Sequence, residues 1–181
     1  MNIRPIAYDH PDAVELNDQV QLEYAERYGE SDLTPLDPAM FTPPRGRYLI
    51  AYDDEGFPVA TGGWRAQQAG EENYADGDAE LKRMYVVPAA RGKALARRIL
   101  ALLEADARAA GRTRMVLETG TEQPEAIALY LSSGYTRVPQ ADRFGLYRTT
   151  DESRCFTKPL TPQPPTHHAT TPIPAQRRPL P

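Results

Sequence analysis

The chain has a single cysteine, Cys155, among 181 residues, so no internal disulfide can form and a fold built on cystines is excluded. Histidine is almost as scarce. His10 stands alone, and His167 and His168 are neighbours near the C-terminus, a spacing that fixes no coordination geometry, so no metal site is expected. No stretch approaches the roughly 20 apolar residues needed to cross a bilayer. Residues 1–12 are interrupted by polar side chains where a signal peptide carries about 7–15 apolar ones, which makes the cytoplasm the expected compartment. A positive surplus is missing too: 21 Lys and Arg face 25 Asp and Glu, a formal net charge of −4. Broad attraction to nucleic acid or to an anionic membrane is therefore not expected, and any anion site must be local.

Proline, by contrast, is abundant and unevenly placed, with eight of the 18 prolines in residues 159–181. That distribution predicts a folded domain over 1–158 and a Pro-rich tail over 159–181, disordered or polyproline-like because it has almost nothing to bury. The tail could serve as a Pro-motif ligand for a partner domain. Without its Arg177 and Arg178 the domain has 19 basic against 25 acidic residues. A domain of this length buries roughly two thirds of the surface its unfolded chain would expose, enough for a sizeable core.

Periodicity and punctuation divide the domain. Residues 2–8 read as an edge strand, since Pro5 has no N–H to give a central ladder. Residues 11–28 form an imperfect amphipathic helix closed by Gly29. Four prolines between 35 and 44 then leave room for one short helical turn at 37–41. Strands at 47–52 and 58–65 flank Asp53-Asp54-Glu55-Gly56, a hairpin signal. Residues 66–78, with Glu71, Glu72, Asp76, Asp78 and two glycines, read as an exposed loop. A strand at 79–87, a helix at 91–110, a strand at 112–118, a helix at 124–133 and strands at 135–138 and 154–158 complete an α/β chain with a parallel pair at its centre.

The stretch from Pro88 to Arg98 is the most informative. Arg91, Lys93, Arg97 and Arg98 crowd the start of a helix, where the macrodipole already disfavours cations by roughly 0.3–1 kcal/mol each. A phosphate would relieve this, and the small residues Gly92, Ala94 and Ala96 let backbone N–H groups approach one. The pattern resembles the pyrophosphate signature of the GNAT superfamily of acetyl-CoA-dependent N-acetyltransferases: Arg or Gln, two residues, Gly, one residue, then Gly or Ala. Arg91, Ala94 and Ala96 fall on it. A second GNAT motif, Asn-x-x-Ala-x-x-Leu-Tyr followed by a Gly-aromatic pair, is matched by Gln123, Ala126, Leu129, Tyr130, Gly134 and Tyr135. Two departures stand out. Ala94 replaces Gly, which predicts a helical conformation there because φ > 0 would be strained. Gln123 replaces Asn and reaches further.

The resemblance implies a GNAT-type fold: a mixed, mostly antiparallel twisted sheet with a splayed parallel central strand pair flanked by helices. It implies acetyl-CoA as cosubstrate, a small-molecule or amino-acid-like amine as acceptor, and direct transfer in a ternary complex. The cofactor would be held by the peptide groups of Met84, Tyr85, Val86 and Val87, by Arg91, Gly92, Lys93, Ala94, Leu95 and Ala96, and by Gln123, with the N–H of Tyr85 or Val86 as oxyanion donor. Tyr130 would protonate or stabilise the departing thiolate. Glu80 is the first candidate for general base and Glu118 the reserve, water alone being the third option; for each carboxylate the other reading is a salt bridge, for Glu80 with Lys82 or Arg83. Trp64 and Tyr74, with Tyr24, Tyr28 and Met40, are candidate acceptor-pocket residues, core packing being the readier reading of Trp64, and Cys155 reads as a small buried hydrophobe rather than a nucleophile. A noncatalytic acyl-CoA sensor and a protein lysine or N-terminal acetyltransferase are the alternatives. The acceptor and the oligomeric state, a homodimer included, are not legible at this level.

Overall fold

The computed structural model describes residues 1–70 and 72–160. Seven strands form one sheet in the order β1-β2-β3-β4-β5-β7-β6: β1 Asn2–Pro5, β2 Gly46–Tyr52, β3 Pro58–Ala66, β4 Asp78–Val86, β5 Arg114–Gly120, β6 Thr136–Arg137 and β7 Ser153–Pro159. Three helices accompany it, α1 Pro11–Tyr28, α2 Leu95–Ala109 and α3 Pro124–Ser132. Every neighbouring strand pair is antiparallel except β4 and β5.

Strand alternation sorts the core into two faces. On β2, Tyr48, Ile50 and Tyr52 join Ala13, Leu16 and Val20 of α1. Leu49 and Ala51 point the other way, toward Leu95, Ile99, Leu100, Leu103 and Ala107 of α2. Each large aliphatic side chain so buried contributes about 1.5–3 kcal/mol, which anchors α2 although its first turn carries two arginines. His10 starts α1 by accepting the Asp12 N–H at 3.2 Å on Nδ1. Gly29, at φ 82, ends it.

The central parallel pair is short. β4 and β5 meet only at Asp78–Arg114, Ala79–Met115 and Glu80–Val116, then separate, while β5 stays paired with β7 along its whole length. The closed end of this V is pinned by Asp78, 1% exposed, whose carboxylate accepts from Nε and Nη2 of Arg114 at 2.7 and 2.8 Å. The open end coincides with a bulge in β4. The register with β3 slips between Thr61 and Gly63, and Arg83 adopts φ 57. Gly62 faces the bulge, where any Cβ would fall on the Met84 sulfur. Because one extra residue reverses the alternation, Glu80 and Lys82 lie on the α1 face before the bulge and Tyr85 lies there after it.

Several boundaries differ from expectation. α2 begins at Leu95 instead of 91, since 88–90 form a 3-10 turn and 91–94 an irregular one. The strand expected at 135–138 shrinks to Thr136–Arg137. The 66–78 loop is not uniformly exposed: Tyr74 and Asp78 are buried, drawn in by partners far away in sequence. The domain also extends past 158. Pro159 pairs with Arg114, and Leu160 is buried and donates its N–H to the Thr113 carbonyl at 2.9 Å, so burial of Leu160 overrides the prolines around it. The remainder of the expected tail, 161–181, lies outside the described residues. No described helix is long and apolar enough to cross a membrane.

Candidate active site

Two concavities open along the V. One, of about 460 Å³, is walled by Met84, Tyr85 and Val86 of β4, the turn from Ala90 to Arg97, and Gln123, Ala126, Leu129 and Tyr130 around α3. Of the residues expected to hold a cofactor it includes all but Val87 and Lys93. Those two fall elsewhere because the Val87 N–H is already given to the Val59 carbonyl at 3.0 Å and the Lys93 side chain lies off the cleft. The Val86 carbonyl is occupied as well, accepting from Arg91 Nε at 3.0 Å.

The turn corrects one expectation outright. Ala94 is not helical: it is left-handed, φ 56 and ψ 20, and serves as N-cap of α2 without a side-chain cap. A non-glycine residue in that region costs roughly 1–2 kcal/mol, and it is adopted here because the chain must turn sharply between the 3-10 segment and α2. Gly92 shares the work at φ 79. With no cap, the first-turn N–H groups of α2 are left free to face an anion. Arg91 is not idle either. Its Nη2 meets Glu23 Oε2 at 2.7 Å, and Glu23 Oε1 meets Arg27 Nη2 at 2.7 Å, so α1 is tied to this turn.

The second concavity, about 510 Å³, shares Tyr24, Met84, Gln123, Ala126 and Tyr130 with the first, and the two are therefore continuous. Tyr130 stands at the junction, 5% exposed. Burial, with a further push from Tyr24, raises its pKa well above that of a free phenol, so it is protonated at neutral pH. Gln123 sits at the N-terminus of α3 without capping it, its Oε1 3.5 Å from Thr119 Oγ1.

The two carboxylate candidates separate clearly. Glu80, 1% exposed, does not line either concavity: Tyr74 Oη, Gln67 Nε2 and Arg65 Nε donate to it at 2.8, 2.7 and 2.7 Å, and Lys82 Nζ lies at 3.3 Å. Burial pushes its pKa up, but Lys82, Arg65 and these hydrogen bonds outweigh that and hold it below the ordinary value. Such a group has no free lone pair for a proton. Glu118 follows Val116 on the same face of β5 and lines the second concavity. Its Oε1 accepts the Tyr147 N–H at 3.1 Å while Oε2 is buried without a partner. Burial raises its pKa from 4.5 to about 7, against the pull of Lys82 and the Tyr147 N–H.

Of the expected acceptor-pocket residues, Tyr24 and Tyr28 line this concavity. Trp64, Tyr74 and Met40 do not, since Trp64 gives its Nε1–H to Asp106 at 2.8 Å, Tyr74 serves Glu80, and the Met40 sulfur lies beside Arg65. Cys155 is fully buried, donates weakly to the Phe144 carbonyl, and burial pushes its thiol up to about 11, so it is no nucleophile. Residues that carried no signal of their own also enter. Asp32, from the proline-rich loop, accepts from Arg83 Nη1 at 2.8 Å, and Tyr147, from a segment without periodicity, reaches Asp32 Oδ1 at 3.2 Å. Among the described residues no group of three or more His, Cys, Asp and Glu side chains gathers to hold a metal.

A splayed parallel pair, an uncapped basic helix start at its mouth and a tyrosine on the facing helix are what the two sequence motifs implied, and the chain matches a known family. Its sequence profile, that of the acetyltransferase (GNAT) family, matches residues 14–135. The chain belongs to the GNAT family. Over 86 residues, 46% of this chain and 53% of the other, it is 45% identical to the IAA acetyltransferase of Azospirillum brasilense, so it spans about half of that relative. The uncharacterized N-acetyltransferase YjgM of Escherichia coli K12 is 32% identical over 139 residues, 74% of this chain and 80% of that one. Among solved structures, a Klebsiella pneumoniae protein described as an acyl-CoA N-acyltransferase superposes with a TM-score of 0.69 at 31% identity, covering 88% of this chain and 97% of its own. A phosphinothricin acetyltransferase of Sinorhizobium meliloti in complex with AcCoA has a TM-score of 0.65 at 19% identity, covering 92% and 94%, a likeness of fold.

Proposed function

We propose that this GNAT protein transfers an acetyl group from acetyl-CoA to the primary amine of a small-molecule acceptor, and that Glu118, not Glu80, is the general base. The observation that carries the reading is the meeting of the two concavities at Met84 and Tyr130, with the Glu118 carboxylate, one oxygen unpartnered, on the wall of the second. The first suits coenzyme A, because uncapped N–H groups and Arg91 fit a diphosphate and the unpaired edge of β4 fits the amides of its arm. Acetyl-CoA supplies the thioester.

The chain's own residues do the rest. An alkylamine with a pKa near 10.4 is free base in only about one molecule per thousand at neutral pH, and Glu118, close to 7, takes its first proton. The freed nitrogen attacks the thioester carbonyl carbon; the C–N bond forms and the C–S bond breaks. Since Val87 bonds to β3 and backbone direction alternates, the Val86 N–H faces the gap and is the donor for the developing oxyanion. The second nitrogen proton goes to the sulfur, whose charge Tyr130 stabilises through its hydroxyl hydrogen. Glu118 returns its proton to solvent.

Thiol release from acetyl-CoA in the presence of amines tests the reading. Tyr130→Phe is expected to lower turnover by about 10-fold to 10⁴-fold with coenzyme affinity little changed. Unaltered turnover would remove Tyr130 from the chemistry. Coenzyme binding without thiol release against any amine would make the protein an acyl-CoA sensor.

A further inference from the structure

Glu118 is enclosed by one short run of the loop before β7. Phe144 enters the core beside Tyr74, Val116 and Cys155, its ring 5.4 Å from that of Tyr74. Gly145 follows at φ 91, and any Cβ there would fall on Glu118 Oε2. The backbone therefore lies directly against the carboxylate, an approach that only glycine permits. Two residues on, Tyr147 gives its N–H to Glu118 Oε1 at 3.1 Å. Both oxygens are thus met by the same four residues.

A run without regular structure opens readily unless something fastens it. One side is fastened to the loop before β4: the Gly145 N–H donates to the Glu72 carbonyl at 2.9 Å, and Asn73 Nδ2 donates to the Arg143 carbonyl at 3.1 Å. The other side is fastened by the Tyr147 phenol, which accepts the Leu33 N–H at 2.7 Å and donates to Asp32 Oδ1 at 3.2 Å. Asp32 is a firm anchor, since it also accepts from Arg83 Nη1 at 2.8 Å and Thr34 Oγ1 at 2.6 Å. Tyr147 itself lines the acceptor concavity, so its latch stands at the edge of the site.

We infer that residues 144–147 are a cover that keeps water from Glu118, and that Tyr147 is the positioning residue that latches it. The inference rests on the reading of Glu118 as general base and adds what makes it one. Burial lifts Glu118 from 4.5 to about 7, and this run supplies part of that burial. Opening the cover has two opposed effects: losing the Tyr147 N–H favours the neutral acid, and admitting water favours the carboxylate. Water can donate in place of the lost N–H, so the second effect prevails and the proton affinity falls. The other groups that face Glu118 are Lys82 and Glu80 of β4, Asp32 beyond α1, and the ionisable Tyr74 and Cys155. All lie outside the cover and keep their charge when it opens.

Kinetic pH profiles of two variants test the inference. Tyr147→Phe removes the latch, and Gly145→Ala puts a methyl where Glu118 Oε2 lies, which lifts the cover. In each, the acidic limb of kcat/KM is expected to move down by about one pH unit or more. At pH 8, where the carboxylate is ionised in all three proteins, kcat/KM should fall by about 3- to 10-fold because a weaker base takes the proton less readily. Calorimetric titration with coenzyme A reports whether each variant is folded. A folded variant whose limb stays in place, or moves up, would overturn the inference. In the wild type, the Tyr147 amide should exchange its hydrogen at least about 100-fold more slowly than an unstructured peptide, followed by NMR. Exchange at the peptide rate would overturn the cover even if neither variant folds. Glu118→Gln tells the two readings apart. A limb lost there but unmoved in Tyr147→Phe removes only the latch, whereas a limb that survives in Glu118→Gln removes Glu118 as the base and this inference with it.

Discussion

Glu118 and Glu80 lie in neighbouring strands, and what separates them is the number of donors each one meets. Glu80 has four polar partners, Glu118 one backbone N–H and a bare oxygen. Glu118 should therefore set the acidic limb of the pH profile, with kcat/KM rising as pH passes about 7. Glu118→Gln is expected to lower kcat/KM by about 10²- to 10⁴-fold and to abolish that limb. The same pKa acts on stability. Because folding raises it from 4.5 to about 7, the buried acid's contribution is fully present below 4.5 and lost by the time pH exceeds 7. Relative to wild type, Glu118→Gln should thus gain stability between pH 5 and pH 8, by roughly 2–3 kcal/mol, measured by denaturant melts at the two pH values. Ala94 offers a second residue-scale test. Its left-handed backbone costs roughly 1–2 kcal/mol while glycine loses up to about 1 kcal/mol in chain entropy, so Ala94→Gly should stabilise the fold by about 0.5–1 kcal/mol in the same melts. A destabilised variant would mean that the alanine methyl contributes more by packing than the backbone strain costs.

Among the elements, α1 does more than cover the sheet. It is only weakly amphipathic, with Ala13, Leu16 and Val20 buried, yet its polar face carries the ion chain from Arg27 through Glu23 to Arg91. That chain places a carboxylate where the diphosphate is proposed to bind, so Glu23 competes with it. Partly exposed pairs of this kind are worth about 0–1 kcal/mol, which limits the effect. Glu23→Gln should tighten coenzyme A binding by about 2- to 5-fold in calorimetry, and weaker binding would mean that Glu23 holds Arg91 in position instead of competing for it. The loop 139–152 is a second such element. It lacks regular structure beyond a short 3-10 turn, but through Tyr147 it supplies the N–H on Glu118 and a phenol on Asp32.

The whole molecule is organised around one incomplete pairing. β4 and β5 must be held together at one end and apart at the other, and the Asp78–Arg114 bidentate pair holds the closed end with the acid buried. Removing one member of such a pair leaves an uncompensated group, so Asp78→Asn should destabilise the protein by about 2–4 kcal/mol in thermal or denaturant melts. Coenzyme A at about 100 times its Kd should add about 2.7 kcal/mol in wild type and variant alike, because the cleft proposed for it lies at the open end. Loss of that increment in the variant would mean that the closed end shapes the cofactor cleft.

Much of this architecture could be read directly from the residues. Hydrophobic period, Gly and Pro stops and the two spaced motifs are local properties, and they suffice for the order of strands and helices, the parallel pair, Arg91 with its small neighbours, and Tyr130. The choice between Glu80 and Glu118 is not local. It depends on whether Arg65, Gln67 and Tyr74 reach one carboxylate and whether the loop before β7 closes on the other, contacts between residues up to 29 positions apart. The bulge at Arg83 and the left-handed Ala94 likewise arise where neither residue's own preference favours them, because the backbone there obeys the register of β3 and the approach of α2. Local preference is decided by a residue and its near neighbours, whereas a proton affinity is decided by every charge and dipole that folding brings within a few ångströms.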